Sequence, residues 1–139
     1  MGYKMKNRVS GVFGWFTAIL YIVLGISFIY NPGGMASGLG FEELNKNALT
    51  DVMATYGGLE IGLGLLLVLF LREKNLTVVL RIIFLTFAGF ALGRSIGAIR
   101  FGEFFGLHFY WLIFELTYLL ICGYCIKKNK QYLGSSTCV

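Results

Sequence analysis

Thr55-Tyr56-Gly57-Gly58-Leu59-Glu60-Ile61-Gly62-Leu63-Gly64 sets one carboxylate and four glycines inside an apolar run that is otherwise uncharged between Asp51 and Arg72. That run has the length, about 20 residues, that a helix needs to cross a bilayer core. On a helical wheel Met53, Gly57, Glu60 and Gly64 share one stripe, with Tyr56 at its edge one turn before the acid. Gly58 and Gly62 form a Gly-xxx-Gly pair on nearly the opposite side, where a second neighbour has room to approach. Nothing in a lipid-facing helix needs Glu60, so the stripe that carries it is expected to face protein.

The rest of the chain has the same character. Of 139 residues, 57% are hydrophobic and 14% charged, against about a quarter charged in a soluble domain. The expectation is one membrane domain over residues 1–139, with crossings at about 9–30, 51–71, 76–99 and 107–126. The net charge of +5 does not point to nucleic acid, because its lysines and arginines flank apolar runs as topology determinants do. Residues 9–30 are too long for the core of a cleaved signal peptide, and no small-x-small site follows them directly.

The first crossing has a small-residue side at Gly11, Gly14, Ala18 and Gly25, and Asn31-Pro32 ends it. Residues 31–50 read as an extracytoplasmic loop with a short interfacial helix over 41–49, and Thr50 or Asp51 is the expected N-cap of the second crossing. The third carries Gly89, Gly93 and Gly97 in one row, a packing signal, with Arg94 off that row beside Phe87 and Phe90. A loop with Gly102, Glu103 and Gly106 leads to the fourth. There His108, Trp111, Glu115, Tyr118, Cys122 and Cys125 fall on one stripe at spacings of three and four, which places that stripe inside. Lys127, Lys128 and Lys130 are expected to stop this helix, leaving a polar tail.

Four crossings put both termini and the turn at 72–75 on one side. Lys4, Lys6, Arg8, Arg72, Lys74, Lys127, Lys128 and Lys130 lie there, against Lys46 and Arg100 opposite, so both termini are assigned to the cytoplasm of a multi-pass cell (inner) membrane protein. At a rise of about 1.5 Å per residue, Glu60 and Glu115 lie roughly 10–14 Å down their helices from the outer ends, and Arg94 about 8 Å. Each charge costs about 2.5–3.5 kcal/mol at a helix centre on insertion scales, so pairing of Arg94 with an acid is expected. One negative charge is then left over, to be met by a proton or by His108.

Tyr56, Glu60, Phe90, Arg94, His108, Trp111 and Glu115 are therefore the candidate residues of a pocket for a lipid, a quinone-like molecule or another small amphipathic ligand. In it Arg94 would hold an anionic or carbonyl head group, and Phe87 with Phe90 would contact the tail. Two alternatives stand beside this reading: an accessory subunit whose charges only fasten helices, and a membrane enzyme using Glu60 or Glu115 as acid or base. The glycine rows are also candidate faces for a second copy or a partner membrane protein. Cys122-Gly123-Tyr124-Cys125 has the spacing of thiol redox sites, but it lies in an apolar helix with no second pair, and small core residues are the expected role. No metal cluster or cofactor motif can be assembled.

At Asp51-Val52-Met53-Ala54-Thr55-Tyr56-Gly57-Gly58-Leu59-Glu60, with Gly62 and Gly64, and at Gly93-Arg94 with Gly97 and Gly102, the chain resembles the bacterial membrane family called domain of unknown function 4345. Met53 stands where that family often has an arginine, and Glu115 matches an acid of its last helix. The resemblance covers about residues 10–126 and implies an all-α bundle of four transmembrane helices without an assigned activity. More distantly the layout is similar to DoxX-like proteins.

Overall fold

A computed structural model describes residues 2–102 and 106–135. The chain is all-α: α1 (Gly2–Tyr30), α2 (Pro32–Gly38), α3 (Lys46–Val52), a π-turn (Met53–Gly58), α4 (Leu59–Arg72), α5 (Leu76–Phe101) and α6 (Leu107–Ser135), with no strand among the described residues. Four stretches are long and apolar enough to cross a membrane, namely Arg8–Tyr30, Lys46–Arg72, Leu76–Phe101 and Leu107–Asn129. The chain is thus built as a multi-pass membrane protein. It divides into two compact units, Phe13–Lys74 and Met1–Val12 with Asn75–Val139.

The first unit is a helical hairpin, α1 from Phe13 onward against α4 and the π-turn. Its contact is made where side chains are missing. A Cβ on Gly25 would lie 2.6 Å from the Gly57 carbonyl oxygen, and one on Gly64 would lie 2.9 Å from the Ala18 carbonyl oxygen. Backbone therefore packs on backbone at both points, as small residues permit in the absence of a hydrophobic drive between helices. Gly57 and Gly64 are buried, and Leu67 and Leu71 continue their face. Of the two glycine sets in this helix the close approach uses the Glu60 stripe, while Gly58 is exposed and nothing lies within 4 Å of a Cβ on Gly62.

The π-turn was not expected. Leu59 N–H reaches back to the Ala54 carbonyl, so the chain fits one additional residue into the turn before Glu60. Glycines at 57 and 58 make that widened turn accessible, and Thr55 Oγ1 donates to the Asp51 carbonyl at 2.6 Å beside it. The second crossing also starts earlier than its expected cap. Asn45 is the N-cap, accepting from Ala48 N–H at 2.9 Å, and residues from Lys46 on are already helical, so neither Thr50 nor Asp51 caps and no separate helix spans 41–49. Asn31-Pro32 does end α1, yet it also begins α2: proline suits the first helical position, and Asn31 Oδ1 accepts from Gly34 N–H at 3.1 Å. Phe28, Ala36 and Val52 form a buried cluster under this end of the hairpin, with Tyr56 packed against it.

The second unit is built on the α5–α6 hairpin. Asn129 Nδ2 donates to Thr77 Oγ1 at 3.0 Å, and Cys122 Sγ donates to the Leu80 carbonyl at 3.1 Å. Phe87 stacks on Tyr118 with ring centroids 4.2 Å apart. These pairs run in opposite directions along the two helices and so fix an antiparallel register. The buried side of α5 is Val79, Leu80, Ile83, Phe87 and Ala91; that of α6 is Glu115, Tyr118, Cys122 and Cys125, the inner part of the stripe anticipated from spacing, whose outer members are half-buried at Trp111 and exposed at His108. A Cβ on Gly89, Gly93 or Gly97 would meet nothing within 4 Å, so the row that reads as a packing signal takes no part in this hairpin. Cys122 and Cys125 are buried free thiols, the core role expected of them. Gly102 ends α5 in the left-handed region at φ 72°, donating to the Ala98 carbonyl. The lysines at 127, 128 and 130 do not stop α6, because lysine is itself a good helix former; the helix reaches Ser135. Glu103 and Cys138 lie outside the described residues.

The glycine contact gives a test. Gly25→Ala should destabilise the fold by about 1–3 kcal/mol, since two of the three atoms nearest the added Cβ, Gly57 O and Ile61 N, are backbone. Gly62→Ala should leave stability unchanged or raise it by up to about 1 kcal/mol through helix propensity. Thermal unfolding in detergent compares the two, and equal losses would rule out the close approach at Gly25.

Candidate functional site

Near the end of the α5–α6 hairpin closest to its 102–106 connection, the apolar register gives way to charge. Arg94 continues the buried side of α5 one turn beyond Ala91, and Glu115 lies one turn before Tyr118 on α6. Antiparallel pairing brings them together: Arg94 Nε–H donates to Glu115 Oε1 at 2.6 Å. The Glu115 side chain is 4% exposed and that of Arg94 27%. The expected pairing of the arginine with an acid is thus made, and the acid is Glu115.

The pairing is one-armed. A guanidinium and a carboxylate can form a fork of two parallel bonds, but here Glu115 Oε2 has no hydrogen-bond partner although it is buried. Trp111, one helical turn before Glu115 on the same face, has its ring 5.9 Å from the Arg94 guanidinium carbon. Its Nε1–H is likewise buried without a partner. An acceptor and a donor thus stand unused beside one arginine, each at a cost of about 1–3 kcal/mol if nothing meets it. His108, a further turn out and exposed, places Nδ1 3.4 Å from Arg94 Nη1, at the long limit of a hydrogen bond.

Phe90 is 40% exposed and meets Phe87 edge-on at 6.2 Å. Phe87 is buried in the stack with Tyr118, so of the two rings only Phe90 is free to meet a ligand tail. Phe114, edge-on to Trp111 at 6.0 Å and tilted on Tyr118 at 5.1 Å, joins the tryptophan to the hairpin's aromatic core. It escaped the sequence reading because it falls outside the polar stripe, and nothing in the sequence singles it out.

Tyr56 and Glu60 belong to the other hairpin. Tyr56 stacks on Phe28 at 5.2 Å and meets Phe41 edge-on at 6.2 Å, so its ring serves the cluster at the end of that hairpin. Glu60, on the face of Gly57 and Gly64, has a buried Oε2 without a hydrogen-bond partner. The structure therefore brings Arg94, His108, Trp111 and Glu115 together in one hairpin and places Tyr56 and Glu60 in the second. Among the described residues no cluster of His, Cys, Asp or Glu has the form of a metal site.

Breaking the pair leaves Glu115 buried and unanswered. Arg94→Leu should therefore lower stability by about 3 kcal/mol, the low end for a buried pair because Arg94 keeps some exposure. Adding Glu115→Leu should recover most of that loss. Denaturation of the single and double variants measures it; additive losses would show that the two side chains do not depend on each other.

No curated protein and no solved structure matches the chain. The family model described as Domain of unknown function (DUF4345) matches residues 9–125, which takes in the greater part of each of the four apolar spans, the Tyr-Gly-Gly turn and the Arg94–Glu115 pair. On that match the chain belongs to the DUF4345 family of proteins.

Proposed function

We propose that this protein resides in the cell (inner) membrane, with both termini in the cytoplasm, and binds a lipid, a quinone-like molecule or another small amphipathic ligand at Arg94, His108, Trp111 and Glu115. The observation that carries the reading is the pair of unused polar atoms, Glu115 Oε2 and Trp111 Nε1, buried beside the Arg94 guanidinium. Buried polar groups are nearly always bonded, so two exceptions on one turn of one helix mark a place where something else supplies the partners. Phe90, exposed on the same helix as Arg94, offers apolar surface for a tail. The excess of basic residues around 1–8, 72–74 and 127–130 supports the orientation, which puts the site in the outer half of the bilayer.

A second reading has its own support. The 2.6 Å bond between Arg94 and Glu115 already answers the arginine, as a fastening with no ligand would. An accessory subunit of that kind would use its open glycine row, Gly89, Gly93 and Gly97, against a second copy or another membrane protein.

Native mass spectrometry of the purified protein separates the two. Ligand binding predicts an adduct of lipid-like mass that persists in the parent protein and is depleted in Glu115→Gln and Arg94→Leu. A protein that flies bare, or whose adduct survives both substitutions, would leave the fastening role as the account.

A further inference from the structure

The two unused atoms differ in kind, and the difference restricts what meets them. Trp111 Nε1–H can only donate; Glu115 Oε2, on a carboxylate whose other oxygen accepts from Arg94 Nε–H, can only accept. Arg94 and Glu115 cancel each other's charge. A charged head group set between Trp111 and Glu115 would therefore find the guanidinium and the carboxylate already committed to each other, at a cost of about 2.5–3.5 kcal/mol near a helix centre. An anion would also face Glu115 Oε2 directly. A carbonyl or an ether would suit Trp111 and leave the carboxylate oxygen opposed to lone pairs, and an ammonium would suit Glu115 and leave the indole unmet.

A hydroxyl meets both needs with a single atom. Trp111 and Glu115 are four residues apart on α6, so their side chains are neighbours on its surface, at a spacing of about 5–6 Å between Cβ atoms. One oxygen set between them can accept from the indole and turn its own hydrogen to the carboxylate. We infer that the ligand's head group is an uncharged hydroxyl, held between Trp111 Nε1–H as donor and Glu115 Oε2 as acceptor. The inference rests on the reading of this site as a ligand site and names the ligand class: a long-chain or ring alcohol instead of a fatty acid, an ester or a quinone in its oxidised form. Arg94 then acts as a positioning residue, orienting Glu115 so that Oε2 faces the head group.

Glu115→Gln makes the idea testable beyond simple loss. Its amide oxygen can still accept from Arg94 Nε–H, which leaves the amide nitrogen, a donor, where the acceptor stood. The site would then favour an atom with lone pairs only.

The experiment is equilibrium binding of tritiated hexadecanol to the full chain in nanodiscs, with unlabelled hexadecyl methyl ether and hexadecanoate as competitors. Trp15→Phe, a substitution on α1, leaves Trp111 as the sole tryptophan, whose emission reports that the probe reaches it. The expected result is saturable binding, with the ether and the acid each at least about 10-fold weaker, the worth of one hydrogen bond to a charged group. Trp111→Phe should weaken hexadecanol by a similar factor, and Glu115→Gln should erase its advantage over the ether. Equal competition by the ether, tighter binding of the acid, or a preference unchanged in Glu115→Gln would overturn the hydroxyl. So would failure of hexadecanol to bind while the purified protein still carries an adduct by native mass spectrometry, a result that leaves the ligand site standing. If neither hexadecanol nor an adduct is found, the site reading falls and the inference with it.

Discussion

An arginine within an apolar helix has to be answered by another side chain, and the α5–α6 hairpin is arranged so that Glu115 answers Arg94 at 2.6 Å. The antiparallel register that permits this is set elsewhere, by the Phe87–Tyr118 stack, the Cys122 thiol on the Leu80 carbonyl and the Asn129–Thr77 bond. Each contact satisfies a polar group or fills volume at one level of the hairpin. Together they leave little freedom for the charged level. A slip of one residue along α6 would turn Glu115 by about 100° away from Arg94 and strand two charges in hydrocarbon. The ion pair is in this sense both a consequence of the register and a penalty on every other one.

The one-armed form of the pair matters more than its existence. Arg94 meets Glu115 through Nε alone, which leaves the second carboxylate oxygen buried without a partner, one helical turn from the equally unpartnered Trp111 indole. A two-armed fork would have closed the site and been consistent with fastening alone. Glu60, in the other hairpin, repeats the theme on a smaller scale: a buried carboxylate oxygen without a partner, just after a π-turn that widens the helix. The hairpins thus differ in how they hold their acid. In one a counter-charge is at hand; in the other the acid sits on the glycine face itself.

Much of this was legible from residue spacing. The four apolar runs are long enough to admit no other fold class, and the α6 stripe from His108 to Cys125 fell on one side because threes and fours leave no alternative. Arg94 needed an acid, and only Glu60 and Glu115 lay at similar depth. What spacing could not supply was anything decided by a neighbour. Gly57 and Gly64 were chosen over Gly58 and Gly62 by where α1 presents Ala18 and Gly25. Phe87 was chosen over Phe90 by the position of Tyr118. The π-turn has no periodic signature at all, because one extra residue in a turn is invisible until the hydrogen bonds are known. The start at Asn45 was open to sequence reasoning but was not among the expectations: asparagine is a strong N-cap, and nothing from Lys46 to Thr50 breaks a helix.

The central claim is that Trp111 Nε1–H is bonded by a ligand in the working protein and by nothing when the ligand is removed. Indole-15N nuclear magnetic resonance of the Trp15→Phe protein reads this directly, because the N–H shift responds to hydrogen bonding. In protein extracted with its native lipids the account predicts a hydrogen-bonded indole, moving to a free one on exhaustive delipidation and back on return of the lipid extract. A Trp111 signal that is the same before and after delipidation would contradict it.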